Sequence, residues 1–142
     1  MTSVGRQRLY LDTSAYLCLL LGQDGSERLG GRIDGAEILA SVLLVLESRR
    51  NLVRLARQGS ITSEQYQSCV ARVEADTPRF VLRDLTLDLC ELNTVPAVAT
   101  PRSLDLVHLR TALWFHALQP IDSFVTMDAS QRAAARELGL PV

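Results

Sequence analysis

The chain has 142 residues, 47% of them hydrophobic, and a formal net charge of −1 at pH 7. That length supports one domain, spanning 1–142, with a sizeable core, and the lack of low-complexity segments excludes a disordered chain. The near-neutral charge excludes bulk basicity as a way to hold nucleic acid, so any such contact must come from a local patch or from bound metal.

Leu9-Tyr10-Leu11 reads as a short buried strand, and Asp12 falls at its carboxyl end. Thr13 or Ser14 is expected to cap a helix over 13–21, because a hydroxyl oxygen accepts from the free N–H groups of a first turn. Gly22-Gln23-Asp24-Gly25 is a loop by composition, and Ser26 to Arg32 a short helical piece broken at Gly30-Gly31. A second strand is expected at Glu37–Ala40, then a helix from Ser41 to about Gln58, stopped by Gly59. Thr62-Ser63-Glu64-Gln65 has the spacing of a capping box, opening a helix to about Ala75 that Asp76-Thr77-Pro78 ends.

Phe80–Leu82 is expected as a third strand and Leu85–Asn93 as a helix, with Pro96 closing the segment. Thr100-Pro101 reads as an N-cap with proline at the first helical position, leading an apolar helix to about Leu118. Ser123–Met127 is a fourth strand and Asp128–Leu138 the last helix, and Pro141-Val142 is where a fifth strand would start. Strands and helices alternate, with no tight hairpin signal between strands. That pattern predicts an α/β fold with a mostly parallel sheet of four to five strands, covered by helices on both faces.

Cys18, Cys69 and Cys90 lie far apart and form no C-x-x-C pair, so they are expected as reduced core thiols in a cytoplasmic protein. Arg6 and Arg8 before the apolar run Ala15–Leu21 faintly mimic a signal peptide. Asp12 interrupts that pattern, no small-residue cleavage site follows, and the run is too short to span a bilayer. No membrane association is therefore expected.

Four acids stand where a charge is costly. Asp12 and Asp128 both follow apolar strands, Glu47 ends the apolar run Val42–Leu46, and Asp105 lies inside Ser103-Leu104-Asp105-Leu106-Val107-His108-Leu109. An isolated buried carboxylate takes up a proton rather than stay charged, and converging carboxylates need a cation. Hard cations such as Mg²⁺ and Mn²⁺ prefer oxygen ligands. An acidic metal pocket at the carboxyl edge of the sheet, where such folds bind ligands, is the economical reading. Three of the acids also have a plain alternative: Asp128 as a helix cap, Glu47 paired with Arg50, Asp105 on an exposed stripe; Asp12 is the hardest to dismiss. His108, one turn beyond Asp105, is expected to hydrogen-bond near the pocket or in the core, and His116 to be structural. No phosphate-binding glycine loop is present.

At these residues the chain resembles the PIN-domain family, and in particular VapC-type toxin ribonucleases. Leu11-Asp12-Thr13-Ser14, Leu46-Glu47-Ser48, the Ser103–Leu109 motif and Phe124-Val125-Thr126-Met127-Asp128 carry the resemblance in order. One departure is Arg110, where the family more usually has alanine. The resemblance implies a three-layer α/β/α domain and an acidic quartet, here Asp12, Glu47, Asp105 and Asp128, that binds Mg²⁺ or Mn²⁺ and cleaves single-stranded RNA. Ser14 and Thr126 match the polar positions that support the quartet. A small cognate antitoxin and a homodimer are implied as partners.

All 15 basic residues are arginine, a total best explained as the codon bias of a GC-rich genome. Arg50, Arg54 and Arg57 are spaced to share a helix face beside Glu47, so they form either a phosphate-holding stripe or a solvated face. The alternative function is a non-catalytic PIN-like module that binds RNA or a partner. A DNA nuclease is a further rival, disfavoured by the short chain. A haloacid-dehalogenase-like phosphatase is disfavoured because it needs a second aspartate where Ser14 stands, and a lysine that this chain lacks.

Overall fold

The computed structural model describes residues 5–91, 98 and 102–142. Its strands are β1 (Arg8–Leu11), β2 (Glu37–Ser41), β3 (Val81–Arg83) and β4 (Ser123–Val125). All neighbouring pairs are parallel, in the order β3-β2-β1-β4. Among the described residues seven α-helices connect and cover them: α1 (Thr13–Leu21), α2 (Ser26–Ile33), α3 (Leu43–Arg57), α4 (Ser63–Asp76), α5 (Leu87–Cys90), α6 (Ser103–Leu118) and α7 (Ala129–Glu137).

Strand alternation builds the three layers. Leu9, Leu11, Ile38 and Ala40 face one side, packing with Ala15, Tyr16, Leu29, Leu44, Leu52 and Val73 of the first four helices. Tyr10, Leu39 and Phe124 face the other, against Leu109, Ala112 and Phe115 of α6 and Ala134 and Ala135 of α7. The rings of Tyr10 and Phe124 stack at 5.3 Å, almost coplanar at 9°. Each central strand thus has apolar residues on both faces, as a parallel sheet between helix layers requires.

The chain runs outward from β1 to β2 and β3, then returns to add β4 on the other side of β1. The order reverses between β1 and β4, and a parallel sheet opens a crevice beyond its strand ends at such a switch point. Asp12 follows β1 and Asp128 follows β4, so both stand at that crevice.

Several local expectations change. α2 runs through Gly30 and Gly31 without a break. Buried Leu29, with Ile33 packed against the core, anchors it against a cost of about 1 kcal/mol per glycine. Ser41 belongs to β2, and its Oγ accepts from the Leu43 N–H at 3.1 Å at the start of α3. β3 begins one residue later than expected, at Val81. β4 stops at Val125, because the Met127 and Asp128 N–H groups donate to the Ser14 and Thr126 hydroxyls instead of to a strand. No fifth strand forms among the described residues: the Pro141 carbonyl accepts once, from the Phe124 N–H at 2.7 Å, and proline has no N–H to return. Cys18 and Cys69 are buried but Cys90 is exposed, so only two of the three thiols are in the core.

The capping box forms as expected: Thr62 Oγ1 accepts from the Gln65 N–H and Gln65 Oε1 from the Thr62 N–H, at 3.1 and 2.8 Å. α5 covers part of the helix expected over 85–93, whose end lies outside the described residues, as do Pro96 and the Thr100-Pro101 cap. α6 is described from Ser103. No described helix is long and apolar enough to cross a membrane.

Candidate active site

Asp12 is 4% exposed, and it, not Thr13 or Ser14, caps α1: its Oδ1 accepts from the Ala15 N–H at 3.0 Å. A carboxylate competes better than a hydroxyl for a free helix N–H because the bond is charge-assisted. The hydroxyls are thereby released for other work. Ser14 Oγ donates to Asp12 Oδ1 at 2.7 Å and accepts from the Met127 N–H at 2.9 Å. Thr126 Oγ1 donates to Asp12 Oδ2 at 2.5 Å and accepts from the Asp128 N–H at 3.1 Å. Two relays therefore run from the backbone after β4 into the two oxygens of Asp12. Burial pushes the Asp12 carboxyl above the usual aspartate range, against the hydrogen bonds from Thr126, Ser14 and Ala15.

Asp128 caps α7. Its Oδ1 accepts from the Ser130 N–H and hydroxyl at 2.9 and 2.8 Å and from the Gln131 N–H at 3.3 Å. The Ser130 hydroxyl is the main reason its carboxyl is held below the ordinary value. Oδ2 takes no hydrogen bond among the described residues.

Asp105 stands in the first turn of α6, half-buried, and its carboxylate receives no hydrogen bond among the described residues. Burial raises its pKa, and the charges of Asp128 and Asp12 raise it further, while Arg102 and His108 oppose them. Asp105 therefore lies within electrostatic reach of both strand-end aspartates. Gln131, 1% exposed, ties the two helices: its Nε2 donates to the Asp105 carbonyl at 2.9 Å. The other amide atom, Oε1, is buried without a partner.

Glu47 reaches the site from α3. It does not pair with Arg50; its Oε1 accepts from Thr13 Oγ1 at 2.7 Å and lies 2.9 Å from His108 Nε2. Burial would raise its carboxyl, but the bonds from His108 and Thr13 outweigh it and hold it below the ordinary value, with a smaller contribution from the Arg50 charge. Arg50, Arg54 and Arg57 are exposed on α3. His108 is buried among the acids, close enough to favour the charged forms of Asp12, Glu47 and Asp105. His116 lies elsewhere, its Nδ1 accepting from the Ile121 N–H at 3.1 Å to close the turn into β4.

The site thus links Asp12, Ser14, Thr126 and Asp128 directly, with Glu47 joined through Thr13 and His108, and Asp105 joined through Gln131. Sequence reasoning missed Thr13, Tyr10, Gln131 and Arg102. Thr13 beside Asp12 was the detectable one; the others act across 26 residues or more or through charge alone. Among the described residues, no three His, Cys, Asp or Glu side chains stand close enough to cage an ion as they are. The donors are all hard oxygens, and Asp12 and Asp105 carry raised pKa values that a cation would relieve.

No protein-family model and no curated protein matches the chain. Among solved structures it is similar to VapC20 of Mycobacterium tuberculosis, described as a sarcin-ricin loop cleaving toxin. The two superpose with a TM-score of 0.57 over 89% of this chain and 94% of that one, at 14% identity. The fold is VapC-like. At that identity the likeness establishes architecture, and function must be argued from the acids.

Proposed function

We propose that the chain is a metal-dependent endoribonuclease of the PIN type, cleaving single-stranded RNA as the toxin of a toxin–antitoxin pair. The observation that carries this is Asp105: a carboxylate with no hydrogen-bond donor among the described residues, its pKa raised by burial and by two neighbouring aspartates. A cluster built that way is poised for a cation rather than for stability.

Asp12, Asp105 and Asp128 would hold Mg²⁺ or Mn²⁺, with Glu47 completing the set directly or through water. Mg²⁺ keeps several waters, which suits carboxylates that do not form a closed cage. Once bound, the ion supplies an acidified water and positive charge for the phosphodiester oxygens. Ser14 and Thr126 hold Asp12 in orientation. Arg50 and Arg102 bring guanidinium charge to Glu47 and to the Asp105–Asp128 pair, and suit the RNA phosphates on either side.

VapC20's description as a toxin that cleaves an RNA loop supports RNA as substrate over DNA. An antitoxin partner is supported by Leu46, Leu104 and Met127, each exposed and each adjacent to one of the acids. Exposed apolar side chains next in sequence to the acids fit a segment that is both basic and apolar. A homodimer in the cytoplasm completes the reading.

The test is cleavage of a single-stranded RNA loop by purified protein with Mg²⁺ or Mn²⁺, beside Asp12→Ala and Asp105→Ala. Cation-dependent cutting that both variants lose by at least about 100-fold supports the proposal. Cutting in the presence of a chelator, or full activity in both variants, refutes it. RNA binding without cleavage in every cation supports the non-catalytic module instead.

A further inference from the structure

Tyr10, His108 and Glu47 come from β1, α6 and α3 and form a chain of hydrogen bonds beneath the acids. The Tyr10 hydroxyl is 2.9 Å from His108 Nδ1, and His108 Nε2 is 2.9 Å from Glu47 Oε1. Tyr10 is 0% exposed and His108 3%. Tyr10 is fixed in turn by its stack on Phe124 and its edge contact with the imidazole, at ring distances of 5.3 and 6.1 Å.

A carboxylate oxygen only accepts, so His108 Nε2 carries its hydrogen toward Glu47 in either charge state of the ring. The Tyr10 hydroxyl occupies the opposite nitrogen and fixes the ring plane. Thr13 Oγ1 donates to the same Glu47 Oε1 at 2.7 Å. Oε1 is therefore engaged twice, while Oε2 takes no hydrogen bond among the described residues. The arrangement restricts Glu47 to one free oxygen and prevents the side chain from swinging out to solvent or to Arg50.

We propose that His108, braced by Tyr10, is a positioning residue that clamps Glu47 through Oε1 and leaves Oε2 as its single oxygen for a cation. This rests on the metal-dependent reading above. Partners that orient a metal-binding side chain from behind commonly change metal affinity by about 10–100-fold when removed.

The experiment is Mn²⁺ binding to RNA-free protein, followed by electron paramagnetic resonance, with circular dichroism reporting the fold of each variant. His108→Leu is expected to weaken Mn²⁺ binding about 10-fold or more, as Glu47→Gln does. His108→Gln, whose amide can donate to Glu47, is expected to recover most of that loss. Tyr10→Phe, which removes the brace together with the hydroxyl's contacts to Thr111 and the Ser41 backbone, is expected to weaken binding by a few-fold while keeping the fold. The double variant His108→Leu with Glu47→Gln is expected to bind no more weakly than Glu47→Gln alone.

Wild-type affinity in a folded His108→Leu or Tyr10→Phe protein overturns the inference, as does equal loss in His108→Leu and His108→Gln. Multiplying losses in the double variant also overturn it. A wild-type protein that binds no Mn²⁺ refutes the cation site itself and this inference with it, whereas wild-type binding with an indifferent His108→Leu refutes this inference alone.

Discussion

Replacing Thr126 by valine removes one hydroxyl from a side chain that is 3% exposed and keeps its shape. The hydroxyl has three partners: it donates to Asp12 Oδ2 at 2.5 Å, accepts from the Asp128 N–H at 3.1 Å and lies 3.1 Å from Ser14 Oγ. Loss of a hydrogen bond to a buried charged group costs about 1.5–3 kcal/mol, and the Asp128 N–H left without its acceptor adds about 1 kcal/mol. Thr126→Val should therefore destabilise metal-free protein at neutral pH by about 2.5–4 kcal/mol. For a chain of this size that is a fall in Tm of roughly 8–12 °C. The Asp12 share depends on ionisation, because a protonated carboxyl no longer needs that donor as strongly. Without the hydroxyl, the Asp12 pKa should rise further than burial already raises it. The Tm gap should then narrow as pH falls below neutrality. Thermal melts of both proteins across pH, by circular dichroism or calorimetry, read this directly. A gap under about 2 °C at neutral pH, or one independent of pH, would refute the account of Thr126 as the support of Asp12.

Two further outcomes follow from the same groups. Asp105→Asn should raise the Tm of metal-free protein at neutral pH, since it removes a charge that Asp128 and Asp12 repel. A raised carboxyl pKa means the folded state holds more protons than the unfolded one from the ordinary value, 3.8, up to the folded value, so stability is lost as pH rises through that window. The advantage of Asp105→Asn should accordingly shrink in acid; melts at several pH values showing a constant gap would contradict this. Gln131→Leu should change stability by less than about 1 kcal/mol, because it exchanges the bond to the Asp105 carbonyl for removal of the orphaned Oε1. It should nonetheless lower RNA cleavage by loosening the α6–α7 tie; unchanged kcat in a folded variant would argue against that role.

The layer architecture was readable because helix and strand periods differ and because apolar runs ended at turn residues. Asp12 and Asp128 were visible for a related reason: an acid at the end of a buried strand violates local economy. The helix through Gly30-Gly31 was missed because two flexible residues weigh heavily in local propensity, while the anchoring Leu29 and Ile33 act through tertiary packing. The cap of α1 was assigned to the hydroxyls; a carboxylate one residue earlier makes the stronger bond. The clamp on Glu47 was out of reach, since Tyr10 and His108 lie 98 residues apart and Glu47 and His108 61 apart. Pattern reading in a single sequence sees neighbours within a turn or two, and Glu47 accordingly suggested Arg50 as its partner.

Placing β1 between β2 and β4, the last strand among the described residues, has a consequence for synthesis. Asp12 is made well before Thr126, which holds it from 114 residues further along the chain. Loop closure over that span comes late in folding, since distant pairings must first overcome chain entropy. A growing or prematurely terminated chain that ends before β4 has Asp12 but neither its clasp nor Asp128. If the proposed activity holds, the protein acquires its cutting site only when β4 and Asp128 dock, so copies that stop short of them are harmless to the RNA around them, the messenger being translated included.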